Sequence, residues 1–123
     1  MTLAKTAASV LSSALLLVSS LTLCALSSEP AFAGEVEEGK SIAFNRKKGN
    51  CLACHAIEGG ALPGNIGPPL VNMKQRYPNK AKLRSQIWDA TENNPNSIMP
   101  PFGKHQILSS DEVNKVVEFV HSL

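Results

Sequence analysis

The pentapeptide Cys-Leu-Ala-Cys-His at residues 51–55 constrains this chain more than any other feature of its sequence. Two cysteines three positions apart are followed directly by a histidine, in a chain of 123 residues that has three cysteines. The pattern is compatible with a redox-active dithiol, with part of a zinc site, or with covalent attachment of a c-type haem. Each of these sites needs a different setting, so the surrounding sequence decides among them.

The first 33 residues have the features of a secretory signal peptide. Lys5 gives a positive start, residues 10–26 are apolar with five interspersed Ser or Thr, and residues 31–33 match a small-x-small cleavage site. We therefore expect cleavage after Ala33 and a mature domain over residues 34–123, located in the periplasm and not attached to the membrane. An uncleaved anchor is the alternative, because the apolar stretch is about as long as the shortest spanning helices.

Cys24 lies within this apolar stretch. A cysteine there suggests a lipoprotein, but Leu23 is bulkier than the small residue that usually precedes a lipidated cysteine. We expect Cys24 to leave with the signal peptide, so that Cys51 and Cys54 are the thiols of the mature chain. Export places them where disulfides persist and where bacteria attach c-type haem.

Length and charge predict one small domain that does not bind nucleic acid. The formal net charge is +2, without the strong basic surplus that a nucleic-acid partner requires. A domain over residues 34–123 has a small core, so a disulfide, metal or cofactor would add stability. A buried porphyrin would supply apolar bulk, since the large rings after Gly34 are only Phe44, Tyr77, Trp88, Phe102 and Phe119.

Hydrophobic spacing and capping residues predict helices and no strand. A first helix over residues 35–48 has acidic residues in its opening turn and basic residues in its last, and it ends at Gly49. A short helix over residues 70–76 precedes one over residues 80–91, capped by Asn79. The core-facing residues of that third helix are Leu83, Ile87 and either Trp88 or Ala90.

The C-terminal helix has the strongest pattern. Ser109 and Glu112 form a capping box, and valines recur at helical spacing at positions 113, 116, 117 and 120. Two irregular segments lie between the helices: residues 59–69, with four Gly and three Pro, and residues 93–108, with three Pro. The sequence therefore predicts a small all-α domain with two Gly/Pro-rich loops.

This setting favours haem attachment at residues 51–55. A thioredoxin-like dithiol follows a strand, and none is predicted before Cys51. A structural zinc site needs four ligands, and beyond the motif only His105, His121 or a carboxylate remains, without ligand-like spacing. In the haem interpretation the two thiols bond to porphyrin vinyl groups and His55 becomes the proximal iron ligand.

Two further residues are candidates for the haem site. The carbonyl of Pro68 is our candidate acceptor for the second imidazole nitrogen of His55, although residues 67–70 are equally compatible with a simple rigid turn. Met99 is our candidate distal ligand, because it lies on an irregular loop stiffened by two prolines. His105 is the main competitor, whereas Met73 suits core packing and His121 a solvated helix face.

No hydrolytic or nucleophilic constellation is present, so no catalytic residue is predicted. Basic residues lie before the motif at positions 46–48, and beyond the Gly/Pro loop at positions 74, 76, 80, 82 and 84. They form either a docking face near the haem edge or an ordinary solvated helix surface.

The mature chain resembles the class I cytochromes c in its first helix, CxxCH motif, Gly-Pro loop, methionine loop and final helix. More narrowly, the segments NRKKGNCLACH, LPGNIGPPL, RYPNKAKLR and MPPFGKHQILS resemble the SoxX family, the monohaem subunits of the SoxAX complex of bacterial sulfur oxidation. The resemblance covers nearly all of residues 39–123. It implies one haem c bound through Cys51 and Cys54, with His55 and Met99 as the iron ligands.

The resemblance also implies a function. SoxAX acts as an L-cysteine S-thiosulfotransferase that oxidatively joins thiosulfate to a cysteine of the SoxY–SoxZ carrier. A SoxA-like partner in a heterodimer would hold the catalytic haem, and this chain's haem would receive the electrons and pass them to a downstream acceptor. The chain alone would have no catalytic activity. Three alternatives stay open: an autonomous electron shuttle, a haem sensor or peroxidase with an open distal position, and a thiol oxidoreductase without haem.

Overall fold

The computed structural model describes residues 31–123, and this part of the chain is helical without strands. The four α-helices are α1 (Ala31–Phe44), α2 (Met73–Arg76), α3 (Lys80–Trp88) and α4 (Ser110–Ser122). Two short 3₁₀ turns, Cys51–Ala53 and Ala90–Glu92, lie between them. The predicted all-α fold is confirmed.

Helix α4 forms where its local sequence signals place it. The hydroxyl of Ser109 accepts a hydrogen bond from the Glu112 amide at 3.2 Å, and the Glu112 carboxylate accepts one from the Ser109 amide at 3.0 Å. This capping box satisfies two amides that a helix start leaves unpaired. One face of the helix is buried, through Val113, Val116, Val117, Phe119 and Val120.

Helices α1 and α4 cross in direct backbone contact. A Cβ atom built on Gly39 would lie 1.9 Å from the carbonyl oxygen of Lys115, so the crossing needs a residue without a side chain. Phe44 and Phe119 pack edge to face with ring centroids 5.8 Å apart, a favourable aromatic geometry. Lys115 also forms an ion pair of 2.8 Å with Glu38 of α1. These contacts pack α1 tightly against α4.

The predicted bounds of α1 are wrong at both ends. The helix already includes Ala31, where the described residues start, and it stops at Phe44, so the acidic residues lie beyond its first turn and the basic residues beyond its last. The chain turns at residues 46–49 because the buried Gly49 donates its amide to the Ile42 carbonyl and leaves no room there for a side chain. The predicted cleavage site lies in the first turn of α1, and the rest of the predicted signal peptide lies outside the described residues.

Helices α2 and α3 are shorter than predicted. The residue before α2, Asn72, has a left-handed φ of 52°, which delays the helix start to Met73. Asn79 caps α3 as predicted, accepting a hydrogen bond from the Ala81 amide at 2.8 Å. Leu83, Ile87 and Ala90 are buried, whereas Trp88 is partly exposed. No helix among residues 31–123 is both long and apolar enough to span a membrane.

Candidate haem site

A cavity of about 670 Å³ opens between the 3₁₀ turn at Cys51–Ala53, the Gly/Pro loop, α3 and the segment after it. This volume lies in the range of sites that enclose a cofactor. Four sequence-predicted residues line it together: Cys51, Cys54, His55 and Met99. Pro68 also lines it, so the fold brings the whole predicted set to one space.

The 3₁₀ turn places the cysteine pair and the histidine on one wall. Asn50 starts the turn with a left-handed φ of 47° and accepts a hydrogen bond from the Ala53 amide at 3.0 Å. The His55 amide donates to the Cys51 carbonyl at 2.9 Å, which wraps the motif tightly. Both cysteines are free thiols and partly buried. The turn therefore brings both cysteines and the histidine to the lining of one cavity.

The environment of Cys51 differs from that of a redox-active cysteine. Burial raises the pKa of its thiol to about 11, so the thiol is protonated at neutral pH. Reactive dithiols have the opposite perturbation, a lowered pKa that supplies thiolate. Among residues 31–123, no group of three or more His, Cys, Asp or Glu side chains is placed to hold a metal ion.

The imidazole of His55 is oriented by the Gly/Pro loop. Its Nδ1 lies 2.7 Å from the carbonyl oxygen of Pro68. Because a carbonyl can only accept, Nδ1 carries the proton, and the lone pair of Nε2 is left available for a metal. A Cβ atom on Gly67 would lie 2.4 to 2.9 Å from three atoms of this ring, so the loop backbone packs directly on the imidazole.

Backbone hydrogen bonds fasten this loop to the cysteine motif. The Gly64 amide donates to the Leu52 carbonyl at 2.7 Å, and the Gly67 amide donates to the Cys54 carbonyl at 2.8 Å. A Cβ atom on Gly64 would lie 2.1 Å from the Ala53 carbonyl oxygen, so this glycine also allows close approach. The imidazole is therefore held between the motif that precedes it and the loop that follows.

Met99 lies on a strap, which we define as residues 95–100. The residue is partly buried, and its amide donates to the Ser97 hydroxyl at 3.3 Å. Met99 lines the cavity from a different segment of the chain than His55 does. Pro95 and Pro100 flank the strap at its ends and reduce its conformational freedom.

The other candidate ligands occupy different positions. His105 is exposed, and neither it nor His121 lines the cavity. The expectation of a solvated His121 is met only in part: the residue is half-buried, and its Nε2 is buried without a hydrogen-bond partner among the described residues. Met73 does line the cavity, but it is almost fully buried and its sulfur lies 3.3 Å from an Arg76 nitrogen.

The charged residues that line the cavity are all basic. They are Arg46, Lys47, Lys48 and Arg76, with no Asp or Glu among the lining residues of the described chain. Positive charge at the mouth of an apolar cavity suits an anionic, largely apolar ligand. Haem is such a molecule, with an apolar ring and two propionates. The lining chemistry therefore fits haem as well as the thiols and the imidazole do.

Sequence reasoning missed two contributors to this site. Gly67 was recognised as a loop residue, but its contact with the His55 ring depends on residues distant in sequence. Asp89 was not singled out, although it is the buried charged residue of the described chain and forms an ion pair of 2.5 Å with Lys104 just beyond the strap. No local signal marks the pairing of Asp89 with Lys104, because the two residues are 15 positions apart.

Comparisons with known proteins agree with this geometry. A chain in the crystal structure of SoxXA from P. pantotrophus is similar to this one, with a TM-score of 0.63 and 28% identity, covering 70% of this chain and 79% of that chain. An uncharacterized lipoprotein of Aquifex aeolicus is 33% identical over 76 residues, which are 61% of this chain and 37% of that protein. This chain thus spans well under half the length of the lipoprotein.

The family comparison covers most of the chain and all of the candidate site. The cytochrome c family model matches residues 36–123. Together with the structural similarity, it confirms the resemblance to SoxX-like cytochromes c. The chain therefore belongs to the cytochrome c family, which implies a covalently bound haem c and a role in electron transfer.

Proposed function

We propose that this chain is the haem c electron-transfer subunit of a periplasmic complex of the SoxXA kind. The single observation that carries the proposal is that Cys51, Cys54 and His55 line one wall of a cavity to which the strap also brings Met99. These are the groups that attach and ligate one haem. The similarity to SoxXA favours a subunit of that complex over other cytochromes c.

Each of these residues has a role in binding the haem. The thiols of Cys51 and Cys54 would hold the haem through thioether bonds, and Nε2 of His55 would bind its iron. Pro68 keeps the proton on Nδ1 and raises the basicity of the imidazole. Met99 would supply the second iron ligand, a soft thioether that would favour the reduced iron and raise its potential. When bound, the haem supplies a reversible one-electron couple.

The architecture suits electron transfer and not substrate binding. With His55 and Met99 both bound to the iron, no position would be open for a peroxide or a gas, and the two prolines of the strap restrict its opening. The chain retains no free thiol once Cys51 and Cys54 are in thioether bonds, since residues 34–123 hold no other cysteine. Sulfur chemistry must therefore take place on another chain.

In the proposed reaction, a thiol of the SoxY–SoxZ carrier and the terminal sulfur of thiosulfate form a sulfur–sulfur bond. A proton and an electron pair are released, and the electrons leave singly through this chain to a downstream acceptor. A SoxA-like subunit performs the bond formation, so the complex is an L-cysteine S-thiosulfotransferase. The lipoprotein relative and the cytochrome c domain support an exported location, and we place the mature domain, residues 34–123, in the periplasm.

Purification from the native periplasm tests the assignment. We expect this chain to co-purify with a second haem-bearing polypeptide. We also expect thiosulfate, in the presence of a cysteine-bearing carrier, to reduce its haem only when that polypeptide is present. A protein that runs as a monomer, and whose haem is reduced by any small electron donor regardless of partners, would instead be an autonomous shuttle.

Covalent attachment is tested separately. The double variant Cys51→Ser, Cys54→Ser should lose all haem on denaturing gels, while each single variant retains haem through one thioether. The matched control is Ser41→Ala, a substitution at an exposed position of α1 that leaves both sulfurs in place. Haem retained by the double variant would overturn the attachment.

A further inference from the structure

The strap that carries Met99 has few attachments of its own to the rest of the domain. Its backbone hydrogen bonds within residues 31–123 stay inside residues 94–99: Asn96 and Ser97 bond to Asn94, and Met99 bonds to Ser97. Pro95 and Pro100 have no amide hydrogen to donate. Met99 itself packs against the hydrophobic core, and beyond that contact the position of the strap depends on what fixes its two ends.

Both ends converge on the last residue of α3 and the residue after it, Trp88 and Asp89. The amides of Gly103 and Lys104, which follow the strap, donate to the Trp88 carbonyl at 3.1 and 3.2 Å. A Cβ atom on Gly103 would lie 2.0 Å from the Trp88 ring, so the returning chain passes directly over the indole. The Arg84 guanidinium lies 4.8 Å from the centre of the Trp88 ring and helps to hold it.

The carboxylate of Asp89 forms hydrogen bonds on both sides of the strap. Its side chain has no exposed surface. One oxygen accepts from the Thr91 amide at 3.0 Å and from the Thr91 hydroxyl, on the side where the chain enters the strap. The other oxygen accepts from the Lys104 ammonium at 2.5 Å, on the side where the chain returns. One buried carboxylate thus joins the segment that leads into the strap to the segment that follows it.

We propose that the Asp89–Lys104 ion pair is a clasp that keeps the strap closed and thereby holds Met99 at the haem iron. Asp89 and Lys104 are positioning residues that act through the strap, and the inference rests on the haem ligation proposed above. A buried carboxylate is costly unless it is paired, so loss of the lysine destabilises the closed strap specifically. In the open state the distal position would accept an external ligand.

Imidazole binding to the ferric holoprotein measures this opening. The apparent affinity of an external ligand is proportional to the fraction of molecules in the open state. Lys104→Met keeps the aliphatic stem and removes the charge, and Asp89→Asn keeps the shape of the carboxyl group. We expect each to raise the imidazole affinity by about tenfold or more, the effect of losing one charge-assisted hydrogen bond.

Lys80→Met is the matched control, because it removes a comparable ion pair away from the strap. Lys80 pairs with Glu118 at 2.6 Å and joins α3 to α4. The control should lower the thermal stability and leave the imidazole affinity unchanged. An equal rise in affinity for Lys80→Met and Lys104→Met would mean that general destabilisation opens the strap, and the clasp would be rejected.

Measuring the effect of Lys104→Met in a Met99→Ala background tests the clasp separately from the ligation of the iron by Met99. If the clasp acts through Met99, Lys104→Met should change imidazole affinity in the wild-type background and not in the Met99→Ala background. If Lys104→Met and Asp89→Asn both bind imidazole with the wild-type affinity, the clasp is rejected. If Met99→Ala nevertheless abolishes the methionine–iron band, the ligation of the iron by Met99 remains supported. A Met99→Ala protein with an unchanged spectrum would overturn both. If Asp89→Asn fails to fold, Lys104→Met alone decides.

Discussion

The Nδ1 atom of His55 lies 2.7 Å from the carbonyl oxygen of Pro68, and the backbone of Gly67 packs against the same imidazole ring. The hydrogen bond fixes the tautomer of the imidazole, and the contact with Gly67 fixes the plane of the ring. Together they leave Nε2 free to bind a metal. The proximal side of the site is thus oriented by the chain itself.

Substitution of Gly67 by alanine tests this arrangement. The added methyl group would lie 2.4 to 2.9 Å from the His55 ring, so either the loop or the ring must shift. We expect the free energy of unfolding of the holoprotein to fall by about 1 to 3 kcal/mol, as for overpacked cores, with a change in reduction potential. Denaturant unfolding and a spectroelectrochemical titration measure the two effects.

Gly59→Ala provides the control in the same loop. Gly59 has a φ of 75° but nothing within 4 Å of its would-be Cβ, so this variant isolates the cost of left-handed backbone. We expect a loss of about 1 to 2 kcal/mol and an unchanged potential. Equal potential shifts in both variants would contradict a specific contact between Gly67 and the imidazole.

Gly39→Ala tests the crossing of α1 and α4. The methyl group would lie 1.9 Å from the Lys115 carbonyl oxygen, and a backbone atom cannot move aside as a flexible side chain can. We expect the free energy of unfolding to fall by about 3 kcal/mol. Ser41→Ala, at an exposed position of the same helix, should stay within about 0.5 kcal/mol of the wild type. Similar stabilities for the two variants would argue against close backbone contact.

The stability at acid pH should depend on Glu112. The pKa of its carboxyl lies below the ordinary value of 4.5, mainly because the Lys48 ammonium donates to it and also because the Ser109 amide does. A lowered folded-state pKa adds stability that is complete above the unfolded-state pKa and is lost as the pH falls through the folded value. The stability difference between wild type and Glu112→Gln should therefore be constant near neutrality and shrink below about pH 4.5. A difference that grows on acidification would contradict this sign.

The mass of the native protein tests the expected processing. Cleavage after Ala33 predicts a polypeptide of residues 34–123 carrying one haem. A lipid-modified N-terminus at Cys24, or retention of residues 1–33, would contradict the predicted signal peptide. Intact-mass spectrometry of the protein from its native host distinguishes these forms directly.

The parts of the fold that could be predicted are those with local signals. Helix α4 is one of these parts: the capping box of Ser109 and Glu112 marks its start, and the valine spacing that follows marks its buried face. The end of α1 could not be placed, because it is set by a hydrogen bond from Gly49 back to Ile42 and by the space that this glycine leaves. Residues 46–48 have good helix propensity, and tertiary contact overrides it.

The candidate site also has residues that the local sequence predicts and residues that it does not. Cys51, Cys54 and His55 are adjacent in sequence, so their chemistry can be inferred from spacing alone. The proline after Met99 made it a stronger candidate than His105, and the structure places the methionine on the cavity wall and the histidine outside the lining. The buried Asp89 and the buried Nε2 of His121 depend on long-range packing that no local pattern reports.

The optical spectrum of the ferric holoprotein with Met99 replaced by alanine tests the central claim most directly. The wild type should be low-spin with a far-red charge-transfer band from a thioether–iron bond, and Met99→Ala should lose that band and have a lower reduction potential. Met73→Leu, at the other methionine of the cavity wall, is the matched control and should keep both properties. A Met99→Ala protein with the wild-type spectrum and potential would contradict the proposed distal ligand and the closed electron-transfer site built on it.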